Sequence, residues 1–341
     1  MLLAACGILF EAGVGIMDPI SHGLVGMVVG LQAGGDISLT NGLMMASIVG
    51  SVLPDLDIVF LLRGDFVYLQ QHRGISHSLP GAVFLSGLGA LALSFFYAGH
   101  SIISLFSWVL LGVISHLFFD VLNSYGAKVF WPFSSKKQML NLLPLVDPVL
   151  ISLCLLSLWR YSLGYHDYLI SLVFAGYLLL RWALRLWVTH IIEARLLQKK
   201  AHLRVCVLPS AMDPFRWDFI IEQRRKNIIG SINLVKGSYD TFQRLNCEKE
   251  EIRSLLADTV LGKVFCDFTP FFHVSSEKKD DKLICHFMDL RYRVKNRFLH
   301  NGTLILNHKL EVEEAIFQPY SMTRRIYLSG VTNTPTSVSG R

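Results

Sequence analysis

The sequence has little charge in its first half. Residues 1–190 contain eight Lys or Arg and nine Asp or Glu residues, so about 9% of this segment is charged, against about 27% of residues 191–341. An ordinary soluble domain carries about 25% charged residues. The shortage argues against a soluble enzyme with a single compact core. It predicts a membrane-embedded front half followed by a soluble, basic domain.

Paired cysteines and nucleic-acid motifs are also lacking. The six cysteines include no CxxC pair, which argues against a disulfide framework and a structural zinc knuckle. The net charge of +6 comes from the back half, but no nucleic-acid motif accompanies it. We therefore interpret the excess as that of a cytoplasmic domain beside a membrane and do not expect a nucleic-acid partner. A basic domain that binds anionic lipid or nucleic acid, with the front half as its anchor, is an alternative.

Long apolar runs predict an α-helical multi-pass membrane domain with about five spans. A spanning helix needs about 20 mostly apolar residues, and runs of this kind cover residues 40–62, 78–98, 101–119, 146–161 and 167–190. Residues 20–33 are too few to span and predict a short N-terminal helix. Lys and Arg concentrate in the connections 63–77 and 125–145 and in residues 191–204. The positive-inside rule places these segments in the cytoplasm.

Composition divides the chain into five segments. Residues 1–16 are interpreted as an extension from a mis-assigned start, residues 17–190 as the membrane domain and residues 191–204 as a basic juxtamembrane linker. Residues 205–331 predict a small α+β domain, mostly β, because short β-branched and aromatic runs alternate with turn residues. Within it, Asn301-Gly302 predicts a hairpin turn, and residues 248–261 predict a helix. Residues 332–341 are expected to be disordered.

The ionisable residues of the apolar half lie in a few short motifs. Such groups are costly at membrane depth and are functional candidates by default. The predicted topology brings these motifs to one face of the membrane, which favours one shared site. The motifs are Ser21-His22, Pro54-Asp55-Leu56-Asp57, His72-Arg73-Gly74-Ile75-Ser76-His77-Ser78, His116 with Asp120, and Asp147-Pro148.

The residue types of this site predict metal chemistry. His116 and Asp120 are four residues apart and project from one helical face. Imidazole and carboxylate groups are the usual ligands of zinc and also suit manganese or iron. A bound metal would supply an activated water, a spare carboxylate or imidazole would act as general base, and Arg73 would neutralise a phosphate or carboxylate of the substrate. Each histidine alone is also explained by packing, and Asp147-Pro148 by a helix start.

Together the motifs resemble those of the bacterial membrane-bound, predicted metal-dependent hydrolases of the YdjM/YbcI type. The resemblance covers about residues 17–190 and includes Met17-Asp18-Pro19 and Asn123, three residues after Asp120. It implies a multi-pass protein of the bacterial inner membrane with a divalent-metal hydrolase site. The ligand set that it implies is His22, Asp55, Asp57, His72, His77, His116 and Asp120.

These observations lead to a hydrolase hypothesis. The protein is expected to be a membrane-embedded metal-dependent hydrolase, with zinc as the first candidate metal. Its site at the cytoplasmic interface would act on an ester or phosphoester of a lipid-like substrate from the bilayer, and Asp57, His77 and Arg73 are the expected catalytic residues. Seven candidate ligands exceed the three of a typical catalytic zinc, so a two-metal site is considered. The alternative is a non-catalytic metal-binding membrane protein, either a transporter or a sensor or scaffold. The oligomeric state stays open.

Overall fold

A helical domain and a β-rich domain make up the structure. The computed structural model describes residues 19–64, 67–68, 71–165, 168–196, 204–210, 213–223, 226–248, 250–294, 297–319 and 324–328. The predicted extension 1–16 and the predicted disordered tail 332–341 lie outside these residues, as does residue 17, the proposed start.

The helical domain contains six α-helices within the described ranges. They are α1 (Pro19–Gly30), α2 (Gly42–Val52), α3 (Leu79–Ser94), α4 (Ile102–Leu122), α5 (Pro148–Ser162) and α6 (Leu169–Leu196). Three 3-10 segments lie between them, Leu31–Ala33, Leu53–Arg63 and Ile75–His77. The segment Leu53–Arg63 follows α2 directly and carries the paired aspartates.

Three helical segments are long and apolar enough to cross a membrane, namely Gly42–Arg63, Ile102–Leu122 and Leu169–Ala194. The other two predicted spans are the shorter helices α3 and α5, with 16 and 15 residues. Helix α3 ends at Ser94, and a turn follows in which the Tyr97 hydroxyl donates a hydrogen bond to the Leu39 carbonyl (2.6 Å). The described helices therefore give three candidate spans, and α1 is short, as predicted.

Small residues hold α1, α2 and α4 together. Gly26 of α1 lies directly against Ser51, and Gly50 of α2 lies against the Val109 carbonyl of α4. Gly112 of α4 in turn contacts the backbone of Ser47. A β-carbon at any of these three glycines would collide with its neighbour, so the helices pack backbone to backbone. This close approach fixes the positions of the polar residues near the helix ends.

Asp147 caps α5, as the helix-start interpretation predicts. Its carboxylate accepts hydrogen bonds from the Val149 and Leu150 amides (2.9 and 3.0 Å). The Tyr177 hydroxyl of α6 donates to the other carboxylate oxygen (2.7 Å). Asp147 therefore stabilises the start of α5 and ties it to α6.

The β-rich domain has two main antiparallel sheets. The first has the order β1-β2-β3-β4 and the second the order β11-β10-β9-β6-β5, with a further pair β7-β8. The strands are β1 (Arg204–Pro209), β2 (Arg216–Glu222), β3 (Lys226–Asn233), β4 (Ser238–Asn246), β5 (Phe272–Lys279), β6 (Lys282–Asp289), β7 (Arg293–Val294), β8 (Arg297–Phe298), β9 (Asn301–Leu306), β10 (Val312–Gln318) and β11 (Ile326–Tyr327). Helices α7 (Glu250–Asp258) and α8 (Val260–Phe268) connect the two sheets along the chain.

Of two local predictions for this domain, the hairpin turn is wrong and the helix is confirmed in part. Asn301-Gly302 begins strand β9 and pairs with β6 and β10, so it is not a hairpin turn. Gly302 is required for packing instead, because a β-carbon there would lie 2.9 Å from the Phe265 ring. The single helix predicted over 248–261 is two helices, because the Thr259 side chain caps a second one by accepting from the Gly262 amide (3.1 Å).

The β-rich domain packs directly on one end of the helical domain. Val188 and Ile192 of α6 share a core with Trp217 of the four-stranded sheet. Tyr68 of the helical domain packs in the core of the five-stranded sheet with Phe265. Helix α6 extends to Leu196, so the first residues of the predicted linker are helical. The two domains therefore form a joint surface at the end that carries the histidine motifs.

Candidate metal centre

The polar motifs of the helical domain converge on one buried cluster. His22 comes from α1, Asp55 and Asp57 from the segment after α2, and His116 and Asp120 from the last two turns of α4. The loop before α3 supplies His72, Arg73, Ser76 and His77. Of the cluster, His77, His116 and Asp120 have no exposed surface.

Two imidazole rings and two carboxylates form the centre of the cluster. The Nε2 atoms of His77 and His116 lie 3.0 Å apart. Asp120 Oδ2 is 3.3 Å from each of them, and Asp55 Oδ1 is 3.4 and 3.6 Å away. Four potential ligand atoms therefore surround one small space.

His22 closes the cluster from the side of α1. Its ring stacks on the His116 ring with the centroids 3.9 Å apart. Its Nε2 lies 3.8 Å from Asp120 Oδ1. The N-terminal helix thus contributes a third imidazole.

Hydrogen bonds at the far side of each central ring determine its tautomer. His116 Nδ1 lies 2.8 Å from the Ser51 carbonyl, which only accepts, so this nitrogen carries the proton. The Ser76 hydroxyl donates to Asp57 (3.1 Å) and therefore accepts from His77 Nδ1 (2.9 Å). Burial lowers the pKa of His77, which favours a neutral ring. In the neutral rings both Nε2 atoms hold lone pairs that point at the same space.

Asp57 and His72 form a layer beside this centre. His72 Nδ1 lies 2.8 Å from Asp57 Oδ1. The other carboxylate oxygen of Asp57 accepts from the Ser76 hydroxyl and from the Arg73 amide (3.3 Å). His72 Nε2 is buried and has no hydrogen-bond partner among the described residues. This is the arrangement of a histidine oriented by a carboxylate.

Arg73 is buried and bound to protein groups. Its Nη2 donates to Asp120 Oδ1 (2.7 Å), and its Nη1 donates to the Asn123 side chain (2.9 Å) and the Gly126 carbonyl (3.2 Å). The left-handed backbone at Arg73 (φ 59°) directs its amide to Asp57 at the same time. Arg73 therefore orients two carboxylates of the cluster.

The cluster fits a metal ion. Both Asp55 oxygens and Asp120 Oδ2 are buried without a hydrogen-bond donor in the described part of the chain, and buried carboxylate oxygens are normally paired. Two groups have ligand atoms within 4.8 Å of one another, His22 with Asp55 and His116, and His77 with His116 and Asp120. Since His116 offers one nitrogen to both groups, they overlap on a common site.

The structure brings the predicted site residues together to different degrees. Five of the seven predicted ligands lie in the two overlapping groups, and Asp57 and His72 lie in the adjacent layer. Arg73, which was expected to neutralise a phosphate or carboxylate of the substrate, pairs with Asp120 instead. The sequence analysis did not identify the Ser51 carbonyl, the Ser76 hydroxyl or the Asn123 side chain as partners of His116, His77 and Arg73, although Ser76 and Asn123 lie within the motifs.

Three comparisons place the chain among known proteins. The family model described as "YdjM inner membrane protein" matches residues 17–188, and the model "YfhP C-terminal alpha/beta plait domain" matches residues 256–325. The chain is 26% identical over 332 residues to the uncharacterized protein YfhP of Bacillus subtilis (strain 168), covering 92% of this chain and all of that protein. No solved structure matches the chain.

The first model covers half of the chain and all five residues of the overlapping groups. The resemblance inferred from the motifs is thereby confirmed. The chain belongs to the YdjM inner membrane protein family.

Proposed function

We propose that this protein is a membrane-embedded metal-dependent hydrolase that cleaves an ester or phosphoester of a lipid-like substrate. The observation that carries the proposal is the approach of the Nε2 atoms of His77 and His116 to 3.0 Å, among carboxylate oxygens without donors. Two imidazole nitrogens at that distance share either a proton or a metal ion, and the unpaired carboxylate oxygens around them favour the metal ion. Zinc suits this donor set best, and manganese or iron also fit it.

The residues divide into ligands and positioning groups. His22, Asp55, His77, His116 and Asp120 would hold the ion. A divalent metal bound there would lower the pKa of a water to about 7 and so supply a nucleophile. His72 Nε2 would accept the proton of the attacking water, and Asp57 would stabilise the imidazolium that results. Arg73 keeps Asp120 ionised and in place, and His77 fits a ligand better than a general base.

A lipid-like substrate is supported by the surface around the cluster. Ile75 and Leu79, on either side of His77, are each about half exposed, at 50% and 49%. On the segment with the aspartates, Leu62 is 87% exposed. An apolar surface of this kind, beside a polar cluster near the helix ends, suits contact with acyl chains. Multiple spans with the cluster on the cytoplasmic side remain part of the proposal, because the basic residues of the connections lie at the same end.

Metal content tests the centre directly. The full chain, purified in detergent without chelator, should contain bound zinc, manganese or iron by elemental analysis. The double variant His116→Ala/Asp120→Ala should lose most of it. The matched control His190→Ala/Asp36→Ala removes an exposed histidine and an exposed aspartate and should keep the wild-type content. Equal, low content in all three proteins would refute the metal centre.

Turnover separates the hydrolase from the non-catalytic alternative. The metal-loaded protein should hydrolyse at least one member of a panel of lipid esters and phosphodiesters, and His72→Gln should lower the rate at least 100-fold while the metal stays bound. Full metal content without turnover of any panel member would favour a sensor or scaffold.

A further inference from the structure

A line of alternating cations and aromatic rings crosses the junction between the two domains. The Arg73 guanidinium lies 5.4 Å from the centroid of the Tyr125 ring, and the Arg291 guanidinium lies at the same distance from that ring. Arg291 is also 5.6 Å from the Phe268 ring, and Lys137 Nζ is 5.5 Å from it. These distances are within the range of cation–π contacts. The line begins at a neighbour of the metal cluster and ends on Lys137.

Three of the four cations at the junction have carboxylate partners. Arg73 pairs with Asp120 at 2.7 Å and Arg291 with Asp289 at 2.9 Å. Lys128 holds both oxygens of Asp267, at 2.8 and 3.1 Å.

Lys137 has neither an ion pair nor a hydrogen bond to any described residue. Its side chain is half-buried. Burial, Arg291, Lys128 and Arg73 together lower its pKa to about 7, with Asp267 acting in the opposite direction. A half-buried ammonium among three other cations is costly without a counter-charge. Lys137 is therefore the one of these four cations that no carboxylate of the described residues balances.

The surroundings of Lys137 match an anion with an apolar part. The same loop carries Phe133 and Phe130, which are 94% and 51% exposed. The loop lies beside the metal cluster, because the Lys128 amide donates to the Arg73 carbonyl (3.1 Å) and the Leu79 amide to the Val129 carbonyl (3.0 Å). Positive charge and exposed aromatic rings thus occur together next to the candidate catalytic centre.

We propose that Lys137, which lies over the Phe268 ring of the β-rich domain, forms a subsite for a phosphate group, and that this phosphate belongs to the substrate of the metal centre. This inference deepens the proposed function and rests on it for the identity of the ligand as substrate. Lys137 would contribute a point charge to the phosphate. Arg291, whose donors are bound by Asp289, Ser124 and Phe268, would hold the Phe268 ring in place beneath Lys137. The subsite requires both domains, which explains why the β-rich domain is packed on the cluster.

Binding to the metal-free protein tests the subsite independently of catalysis. The full chain in nanodiscs of phosphatidylcholine, treated with chelator at pH 6.5, is titrated with dihexanoyl phosphatidic acid and separately with inorganic phosphate. We expect saturable binding that Lys137→Met weakens at least tenfold and Lys137→Arg largely restores. The neighbouring exposed residue provides the matched control, and Lys136→Met should change the affinity less than twofold.

The two probes separate the sources of the phosphate. Binding of phosphatidic acid alone assigns the subsite to a lipid headgroup, and equal binding of inorganic phosphate assigns it to a free phosphate group. Either result supports the subsite if it depends on Lys137. Equal affinities of wild type, Lys137→Met and Lys136→Met, or binding of neither probe, would overturn it. Because no metal or turnover is involved, this failure would leave the hydrolase proposal standing, and a failure of turnover would leave the subsite standing.

A second measurement reports on Lys137 without a binding assay. An amine with a pKa near 7 is mostly neutral at pH 8, whereas an ordinary lysine is almost entirely protonated there. An acylating reagent at pH 8 should therefore modify Lys137 at least tenfold faster than Lys136, by peptide mass spectrometry. Saturating phosphatidic acid should slow the modification of Lys137 alone. A ligand that leaves the Lys137 rate unchanged would contradict the proposed contact.

Discussion

The molecule contains two buried clusters of charge that differ in how their hydrogen bonds are satisfied. In the β-rich domain, Asp289 accepts from the Thr269 hydroxyl and from the backbone and side chain of Arg291. In the helical domain, Asp55 has two buried oxygens without a described donor. Buried polar groups that stabilise a fold are normally paired. The first cluster therefore serves the fold, and the second has capacity left for a ligand.

This contrast can be tested first at Arg291, where the largest effect is expected. Arg291→Met leaves Asp289 buried without its cation, which typically costs about 3–5 kcal/mol. Hydrogen exchange of peptides from β6 and β9 should report that loss in local unfolding free energy. Arg297→Met, at an exposed strand position, should change it by less than about 0.5 kcal/mol. A similar loss of unfolding free energy in Arg291→Met and Arg297→Met would show that the Arg291–Asp289 ion pair does not stabilise the domain.

The pH dependence of the same domain should be the next largest effect. Burial lowers the pKa of His300 to about 4 from its ordinary value of 6.5. Between these two values the unfolded state binds more protons than the folded state, so stability decreases as the pH falls through this window. The loss amounts to about 3 kcal/mol. His273, whose pKa burial also lowers to about 4, adds to it.

Exchange measured at pH 7 and pH 5 would isolate the contribution of His300. In His300→Asn the decrease on acidification should be smaller than in wild type, whatever the absolute stability of the variant. An unchanged pH dependence would mean that the pKa of this ring does not differ between the folded and unfolded states.

Metal addition should stabilise the protein through the helical cluster only, and the expected stabilisation is similar in size to the pH effect. At a zinc concentration 100-fold above Kd, binding to the folded state alone stabilises it by about 2.7 kcal/mol. Wild type should therefore unfold at a higher temperature with zinc than with chelator. Asp55→Asn should lose this difference, whereas Asp289→Asn should retain it at a lower baseline. Retention of the full zinc effect in Asp55→Asn would exclude Asp55 as a ligand.

The smallest effect is expected at Asp147, a carboxylate whose oxygens are all used by the fold. Loss of a helix N-cap costs about 1 kcal/mol. Asp147→Ala should destabilise α5 by about that amount in hydrogen exchange and leave the metal content unchanged. A loss of metal in Asp147→Ala, with the fold intact, would show that Asp147 also contributes to metal binding.

Much of the site was predictable from the helical part of the sequence. The i, i+4 spacing of His116 and Asp120 and the aspartate pair near the end of a long apolar run were enough to predict one shared cluster. The separation of Asp57 from Asp55 was not predictable, because it depends on the 3-10 geometry of Leu53–Arg63 and on the Ser76 hydroxyl. Alternation of residue types does not specify that geometry.

The packing of the two domains was the main feature that the sequence did not reveal. Charge composition separated residues 191–341 from the membrane part but carried no information about contacts between them. Tyr125 donates or accepts a hydrogen bond with His300 (3.1 Å), and Arg291 donates to the Ser124 carbonyl (2.9 Å). These partners are more than 160 residues apart in the chain, and no local pattern relates them. The prediction of a hairpin at Asn301-Gly302 failed for a similar reason. Glycine is needed there because the Phe265 ring, which is distant in the sequence, leaves no space for a β-carbon.

Helix α6, one of the three candidate spans, also sets the distance between the β-rich domain and the apolar residues of the helical domain. Its 28 residues have a length of about 42 Å, which exceeds the hydrocarbon core of a bilayer, about 30 Å thick, by roughly two helical turns. Val188 and Ile192, near that end, are part of the core of the four-stranded sheet. The helix therefore connects the helical domain to the four-stranded sheet without a flexible linker between them. One residue inserted near position 190 would rotate the four-stranded sheet by about 100° about the axis of α6. This rotation would separate Arg291 from Ser124, so the contact between the two domains depends on the exact length of α6.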